Sequence, residues 1–230
     1  MTGPKKTKIL ILAGGKGTRL ASVDPTRPKP MVEILGKPFL YWLINHYEHL
    51  GYARYLLSTG HLAEVIETYP WNSEFPNCEF EFFREKTPLG TGGAVQKIFR
   101  DNPSLQETWV INGDTLLPEP LPESPDQNEA LYTALAQSEV FDAIPNIHTE
   151  DDLVVAEGAG GQYFDGGAIF LRRQAVERYQ GGVPCSIHSL LEPAMRLKRV
   201  AYALVPGTCY DIGTPKRLKR FEEYLSCFKI

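Results

Sequence analysis

Apolar positions along the first half of the chain recur in blocks that switch between two periods. Ile9 to Ala13 is an unbroken apolar run that stops at Gly14-Gly15, so Lys8–Ala13 predicts a buried central strand followed by a tight loop. Residues 36–51 predict a helix: Pro38 suits its first turn, Phe39, Leu43, Tyr47 and Leu50 share a face, and Gly51 stops it. Tyr52–Thr59 predicts a second strand, and His61–Tyr69 a short helix closed by Pro70. Glu79 and Glu81 alternate with Phe80 and Phe82, which predicts a strand over Cys78–Phe83 with one wet face. Thr91–Asn102 predicts a helix and Thr108–Ile111 another buried strand. Strands interleaved with helices in this way predict a three-layer α/β/α sandwich with a mainly parallel mixed sheet.

Beyond Thr115 the pattern breaks. Pro118, Pro120, Pro122 and Pro125 mark an extended, solvated loop. Ala130–Ala136 and Asp152–Ala156 carry weak strand patterns and Gly166–Leu171 a firmer one. Thr214-Pro215 opens a last helix, whose apolar face is Leu218, Phe221 and Leu225 with Tyr224 or Phe228. That aromatic face suits a core contact first and a homodimer interface second. No internal repeat or hexapeptide array is present.

Charge changes the picture more than composition does. The net charge is −4, but residues 1–30 carry +6, residues 101–171 carry −14 without one Lys or Arg, and residues 172–230 carry +6. The acidic block argues against a nucleic-acid binder, while the basic ends suggest a local site for an anion. No apolar run approaches a membrane span, and the five-residue run after Lys8 is too short for a signal peptide. Cys78, Cys185, Cys209 and Cys227 lack C-x-x-C spacing, the pattern of reduced thiols in a cytoplasmic protein.

The richest chemistry follows the first strand. In Leu12-Ala13-Gly14-Gly15-Lys16-Gly17-Thr18-Arg19-Leu20 the glycines let backbone N–H groups approach an anion, and Lys16 and Arg19 add charge. This is no Walker loop, and Leu20 stands where a dinucleotide fingerprint needs its third glycine, so an NAD-dependent oxidoreductase fits poorly. Ten residues on, Pro28 and Pro30 hold the backbone extended and aim Lys29 at a fixed point. As an exposed loop lysine, Lys29 should be removable without unfolding the protein.

These segments resemble the sugar-1-phosphate nucleotidyltransferases. L-A-G-G-x-G-T-R-L with P-K-P-M is similar to their signature, and three stretches agree: Glu85-Lys-Thr-Pro-Leu-Gly-Thr-Gly-Gly-Ala94, Asn112-Gly-Asp-Thr115 and Tyr210-Asp-Ile-Gly-Thr-Pro215. The wording is closest to the D-glycero-D-manno-heptose 1-phosphate guanylyltransferases, with mannose-1-phosphate guanylyl- and N-acetylmuramate 1-phosphate uridylyltransferases as near relatives. The resemblance implies one Rossmann-like domain over residues 1–230, with a nucleotide-binding half at 8–115 and a sugar-phosphate half with the last helix at 116–230. It also implies a reaction in which a phosphate oxygen of the sugar 1-phosphate attacks the α-phosphorus of a nucleoside triphosphate and expels pyrophosphate.

Such a reaction needs positioning and charge neutralisation rather than a catalytic Ser, Cys or His. The resemblance makes Arg19, Lys29 and Asp114 catalytic, and assigns Mg²⁺ to Asp114 and Asp211; those aspartates could otherwise cap a turn and the last helix. It gives the nucleotide Leu12 to Thr18 together with Glu85, Gly90, Thr91 and Gly92, and the sugar Asn112, Asp165 and Gly167. A carboxylate at Glu85 matches the two donors of guanine, N1–H and the 2-amino group, against the single N3–H of uracil or thymine, so the expectation leans to GTP. Two departures concern the sugar. The F-x-E-K-P lysine of many relatives is missing, with Arg172 or Arg173 as substitutes or as surface residues, and Ser186-Ile187-His188 replaces S-L-E. A catalytically silent nucleotide-sugar binder is the competing expectation, opposed by the joint presence of Arg19, Lys29, Asp114 and Asp211.

Overall fold

The computed structural model describes residues 5–15, 26–136 and 144–227. Its elements begin with β1 (Lys8–Leu12), β2 (Glu33–Ile34), β3 (Lys37–Pro38), α1 (Phe39–His49), β4 (Arg54–Thr59), α2 (Ala63–Glu67), α3 (Trp71–Glu74) and β5 (Glu79–Arg84). They continue with α4 (Gly90–Asp101), β6 (Glu107–Asn112), β7 (Thr115–Leu116), β8 (Ala130–Leu135), β9 (Ile147–Glu150), β10 (Leu153–Glu157) and β11 (Phe164–Arg172). The last are α5 (Arg173–Glu177), α6 (Ile187–Arg196), β12 (Val200–Leu204), β13 (Tyr210–Asp211) and α7 (Pro215–Cys227). The class is the expected three-layer α/β/α sandwich with a mixed, mostly parallel central sheet. Two compact units divide the chain: residues 1–88, 112–118 and 210–230, and residues 89–111 with 119–209.

In the first unit β1 and β4 are parallel with Ile9 opposite Tyr55, and β4 and β5 are parallel with Arg54 opposite Glu79. Ile9, Leu10 and Ile11 are fully buried, as a strand covered on both faces requires. The β5 alternation holds, and Phe80 stacks on Tyr55 at 5.5 Å. In α1, Phe39, Leu40, Leu43, Ile44 and Tyr47 are all fully buried. The helix starts just after Pro38, and Gly51 takes φ +89° where the chain leaves it. Phe221 of α7 meets Phe39 at 5.0 Å, so the last helix makes the core contact expected of it; Phe228 lies outside the described residues. The short strands β7 and β13 form an antiparallel ribbon with Thr115 opposite Asp211.

The second unit mixes directions: β11 is antiparallel to β6 and β8, β12 is parallel to β8, and β10 is antiparallel to β12 and β9. A bulge interrupts β11 between Asp165 and Ile169. The Thr133 hydroxyl patches it, donating to Ala168 O at 2.8 Å and accepting from Ala168 N at 3.3 Å.

The arginines after the acidic block face inward. Arg172 donates to the carbonyls of Pro125, Asp126 and Asn128, and Arg173 to those of Phe99, Asn102 and Leu105. Arg178 pairs with both oxygens of Glu129 at 2.5 and 2.6 Å. Both expectations for Arg172 and Arg173 are therefore corrected. Their guanidinium groups are spent on loop carbonyls and on carbonyls at the end of α4, so they are neither surface charges nor replacements for the missing lysine.

Candidate functional site

In the first unit the site is built on the ends of β1, β4 and β5 and on the β7–β13 ribbon. β1 delivers Ala13, whose N–H donates to Ser58 O at 2.8 Å, and then Gly14. Gly14 is pressed between Gly60 and Glu85: a Cβ on Gly60 would lie 2.7 Å from Gly14 O, and one on Gly14 would lie 2.9 Å from Glu85 Oε1. Glu85 Oε1 also accepts from Ser58 Oγ at 3.1 Å. Glu85 is half-buried against the start of the glycine loop rather than an exposed neighbour of Lys86. Leu12 ends the strand and Ala13 follows it, and among the described residues nothing lies within 4 Å of a Cβ placed on Gly15. Lys16, Gly17, Thr18 and Arg19 lie outside the described residues.

Lys29 does not sit in the extended segment expected from its flanking prolines. Pro28 is extended, but Lys29–Met31 closes a 3₁₀ turn with Met31 N donating to Pro28 O at 2.8 Å. Nor is it exposed: its side chain is 13% accessible and its Nζ donates to Asp114 Oδ2 at 2.5 Å. Proline fixes φ but permits a tight turn as readily as extension, and the turn carries the lysine inward.

Asp114 Oδ1 accepts from Thr115 Oγ1 at 3.1 Å, and Asp114 O accepts from Ile212 N at 3.1 Å, which ties the two metal candidates to one ribbon. Asp211 does not cap α7; Thr214 does, its Oγ1 accepting from Arg217 N at 3.3 Å. Asp211 Oδ1 instead accepts from Gly213 N at 2.8 Å and from Arg217 Nη1 at 3.0 Å. Asp211 Oδ1, Arg217 Nη1 and Lys29 Nζ all lie within 3.6 Å of the point a Cβ on Gly213 would occupy. Lys29, Asp114, Asp211 and Arg217 thus form one cluster. The sequence reading missed Arg217, although its place six residues after Asp211, on the first turn of a helix, was a usable signal.

No group of three or more His, Cys, Asp and Glu side chains is placed to hold a metal ion among the described residues. Two carboxylates on one ribbon nevertheless suit Mg²⁺, a hard ion commonly held by one or two carboxylates with substrate phosphates and water completing its shell. Both carboxylates face a cation.

The second unit holds the other candidates. Gly90 has φ +73°, and a Cβ there would lie 2.3 Å from Cys185 O; Gly92 stands equally close to Ser186 O. Gly92 N donates to Cys185 O at 3.0 Å and Ile187 N donates to Thr91 Oγ1 at 2.9 Å. These contacts brace the α4 entrance against α6, leaving Gly90 and Thr91 exposed and Gly92 buried. Asp165 stands at the β11 bulge, where its Oδ1 accepts from Gly167 N at 2.8 Å. Burial raises its pKa to about 6, helped by the charge of Glu157 and opposed by that Gly167 N–H. Tyr132 donates to Glu157 Oε2 at 3.2 Å, and His188 Nδ1 lies 3.7 Å from the same oxygen. Where the sequence showed only a lost carboxylate at His188, Glu157 of β10 supplies one beside it. Asn112, the remaining sugar candidate, ends β6 half-buried and belongs to the first unit.

Comparison with known proteins places the chain in a family. The nucleotidyl transferase family model matches residues 8–140. A D-glycero-alpha-D-manno-heptose 1-phosphate guanylyltransferase of Aneurinibacillus thermoaerophilus is 33% identical over 74% of this chain and 76% of its own. One from Campylobacter jejuni is 34% identical over 65% of this chain and 66% of its own. The crystal structure of HddC from Yersinia pseudotuberculosis superposes with a TM-score of 0.78 at 28% identity, covering 95% of this chain and 99% of that one. The chain belongs to the nucleotidyl transferase family, as an enzyme of the class that acts on nucleoside triphosphates and sugar 1-phosphates.

Proposed function

We propose that this chain transfers GMP from GTP to heptose 1-phosphate, releasing pyrophosphate and forming GDP-heptose, with Mg²⁺ held by Asp114 and Asp211. The observation that carries the chemistry is the pairing of Lys29 with Asp114 at 2.5 Å beside Asp211 and Arg217. Lys29 is the cation for the α-phosphoryl group and offsets charge as the bond to pyrophosphate breaks. The acceptor oxygen is already ionised at neutral pH, so no general base is required. When bound, Mg²⁺ would clamp phosphate oxygens and draw off negative charge.

Leu12 to Gly15 present backbone to the triphosphate, and Lys16, Gly17, Thr18 and Arg19 continue that cradle, with Arg19 on the departing pyrophosphate. Glu85, anchored by Ser58, supports guanine because it offers acceptors to two adjacent donors. Gly90 and Thr91 remain exposed for the nucleoside, while Gly92 serves by letting the loop turn against Ser186. Asn112, Asp165 and Gly167 take the sugar, and the heptose assignment follows the two heptose 1-phosphate guanylyltransferases above. Among the described residues no helix is long and apolar enough to cross a membrane, in keeping with soluble substrates.

A matrix of ATP, CTP, GTP, UTP and dTTP against several sugar 1-phosphates, read by pyrophosphate release with Mg²⁺, tests the assignment. Turnover peaking with GTP and heptose 1-phosphate supports it, and a peak elsewhere replaces the substrate. No release from any pair, with retained nucleotide-sugar binding, would identify a silent binder.

A further inference from the structure

Asp165 stands half-buried at the β11 bulge, where its N–H donates to Asn146 Oδ1 at 3.0 Å and its Oδ1 accepts from Gly167 N at 2.8 Å. Neither bond calls for a carboxyl. The amide oxygen of an asparagine would accept from Gly167 N equally well and would bring no charge into a half-buried position. Asp165 Oδ2 has no partner among the described residues, and no Lys or Arg among them pairs with this carboxylate.

Among the described residues, the titratable groups around Asp165 come from three elements. Glu157 of β10 adds its charge to the effect of burial, and together they push the Asp165 carboxyl up to about 6 against the Gly167 N–H. Tyr132 of β8 is fully buried and spends its hydroxyl on Glu157 Oε2 at 3.2 Å. His188 of α6 places its Nδ1 3.7 Å from that same oxygen. On the function proposed above, a sugar 1-phosphate brings further negative charge to this cluster. Two neighbouring carboxylates cannot both stay ionised cheaply under that load. A protonated Asp165 keeps one oxygen for Gly167 N–H and gains an O–H donor on the other, while Glu157 remains an acceptor. The cluster then offers a sugar one donor and one acceptor.

We propose that Asp165 meets the acceptor sugar as a neutral carboxylic acid, its Oδ2–H donating to a sugar oxygen, so that the acceptor binds together with one proton from solvent. This rests on the reading of Asp165 as a sugar contact. It makes Asp165 a specificity-determining residue, because an acceptor that lacks the oxygen loses the bond and the proton together. The sign follows from linkage: the proton must be supplied, so acceptor affinity falls as pH rises.

The test is calorimetry on the whole protein with Mg²⁺ and a non-transferring GTP analogue present. The probe is the sugar 1-phosphate that peaks in the matrix above, heptose 1-phosphate on the present reading. Titrations run from about pH 7 to 8.5, above the second pKa of a phosphate at about 6, in two buffers of different ionisation enthalpy. The parent should take up most of one proton on binding and lose affinity by up to about tenfold per unit of pH. Asp165→Asn should bind with no uptake and a flat pH profile, and His188→Gln should keep the uptake. Uptake that persists in Asp165→Asn or vanishes in His188→Gln puts the proton elsewhere and overturns the proposal. A parent that takes up no proton, with Asp165→Asn altering affinity by the same factor at every pH, overturns the proposal and leaves the sugar contact standing. An Asp165→Asn variant identical to the parent at every pH removes the sugar contact itself, and the proposal with it.

Discussion

Removing Lys29 strips Asp114 of a cation that is only 13% exposed, so the substitution acts on both chemistry and stability. Lys29→Met should lower kcat by about a hundredfold or more, as loss of a transition-state charge contact does. It should also cost about 1 kcal/mol, because Asp114 is itself 36% exposed and water replaces part of the lost pairing. A double-mutant cycle with Asp114→Asn checks this, with a coupling of about 0.5–3 kcal/mol expected for groups in direct contact. Asp165 gives a prediction of the opposite kind. Its raised pKa means the folded state holds a proton that the unfolded chain has released between about pH 4 and 6, so stability falls as pH rises through that window. Asp165→Asn removes this slope and keeps the bond from Gly167 N. Urea melts should show the variant more stable by on the order of 1–2 kcal/mol at pH 7.5 and indistinguishable from the parent below about pH 4.

At the scale of elements, α7 serves the site by anchoring the segment that carries Asp211 and Arg217. Phe221→Ala empties the contact with Phe39 and should destabilise by about 3–5 kcal/mol in a denaturant titration. The elements legible in the sequence, β1, α1, β4, β5 and α4, have long apolar periods or clear alternation. Those that escaped notice lack such signals for identifiable reasons. Strand β9 leads into a hairpin that turns at Asp151 with φ +51°, so its acidic end looks like solvated loop, whereas β10 follows the weak strand pattern over Asp152–Ala156. Helix α6 contains Pro193, which reads as a breaker, yet its Ser186 cap accepts from Ser189 N at 3.0 Å and Leu190, Leu191, Ala194 and Met195 are buried. Motif wording singled out Lys29, Asp114 and Asp211, whereas the contacts of Arg217 in the first unit and of Glu157 in the second are ones that only the fold creates. Charge alone could not reveal that Arg172 and Arg173 spend their donors on loop carbonyls.

For the molecule as a whole, ligand linkage offers a test that needs no turnover. If GTP with Mg²⁺ binds the folded chain alone, at a hundred times its dissociation constant it should add about 2.7 kcal/mol of stability. For a chain of this size that corresponds to a rise in melting temperature of roughly 5–11 °C. An equal concentration of ATP should give less if Glu85 selects guanine. The charge division along the chain also resolves into structure. Arg172 lies 3.6 Å from Glu107 and Arg178 pairs with Glu129, so part of the −14 block is balanced by the basic segment that follows it.

The first unit gathers residues 112–118 and 210–230 back to the opening 88 residues. During synthesis on a ribosome, Asp114 therefore emerges about a hundred residues before Asp211 and Arg217, and the glycine loop and Lys29 nearly two hundred before them. Closing so long a loop is entropically slow, and a nascent chain cannot complete the two-carboxylate cluster until its last helix has left the exit tunnel. On the proposed reading of Asp114 and Asp211 as a metal pair, a nascent chain would carry the candidate phosphate-binding segments well before the ribbon of β7 and β13 joins the two carboxylates.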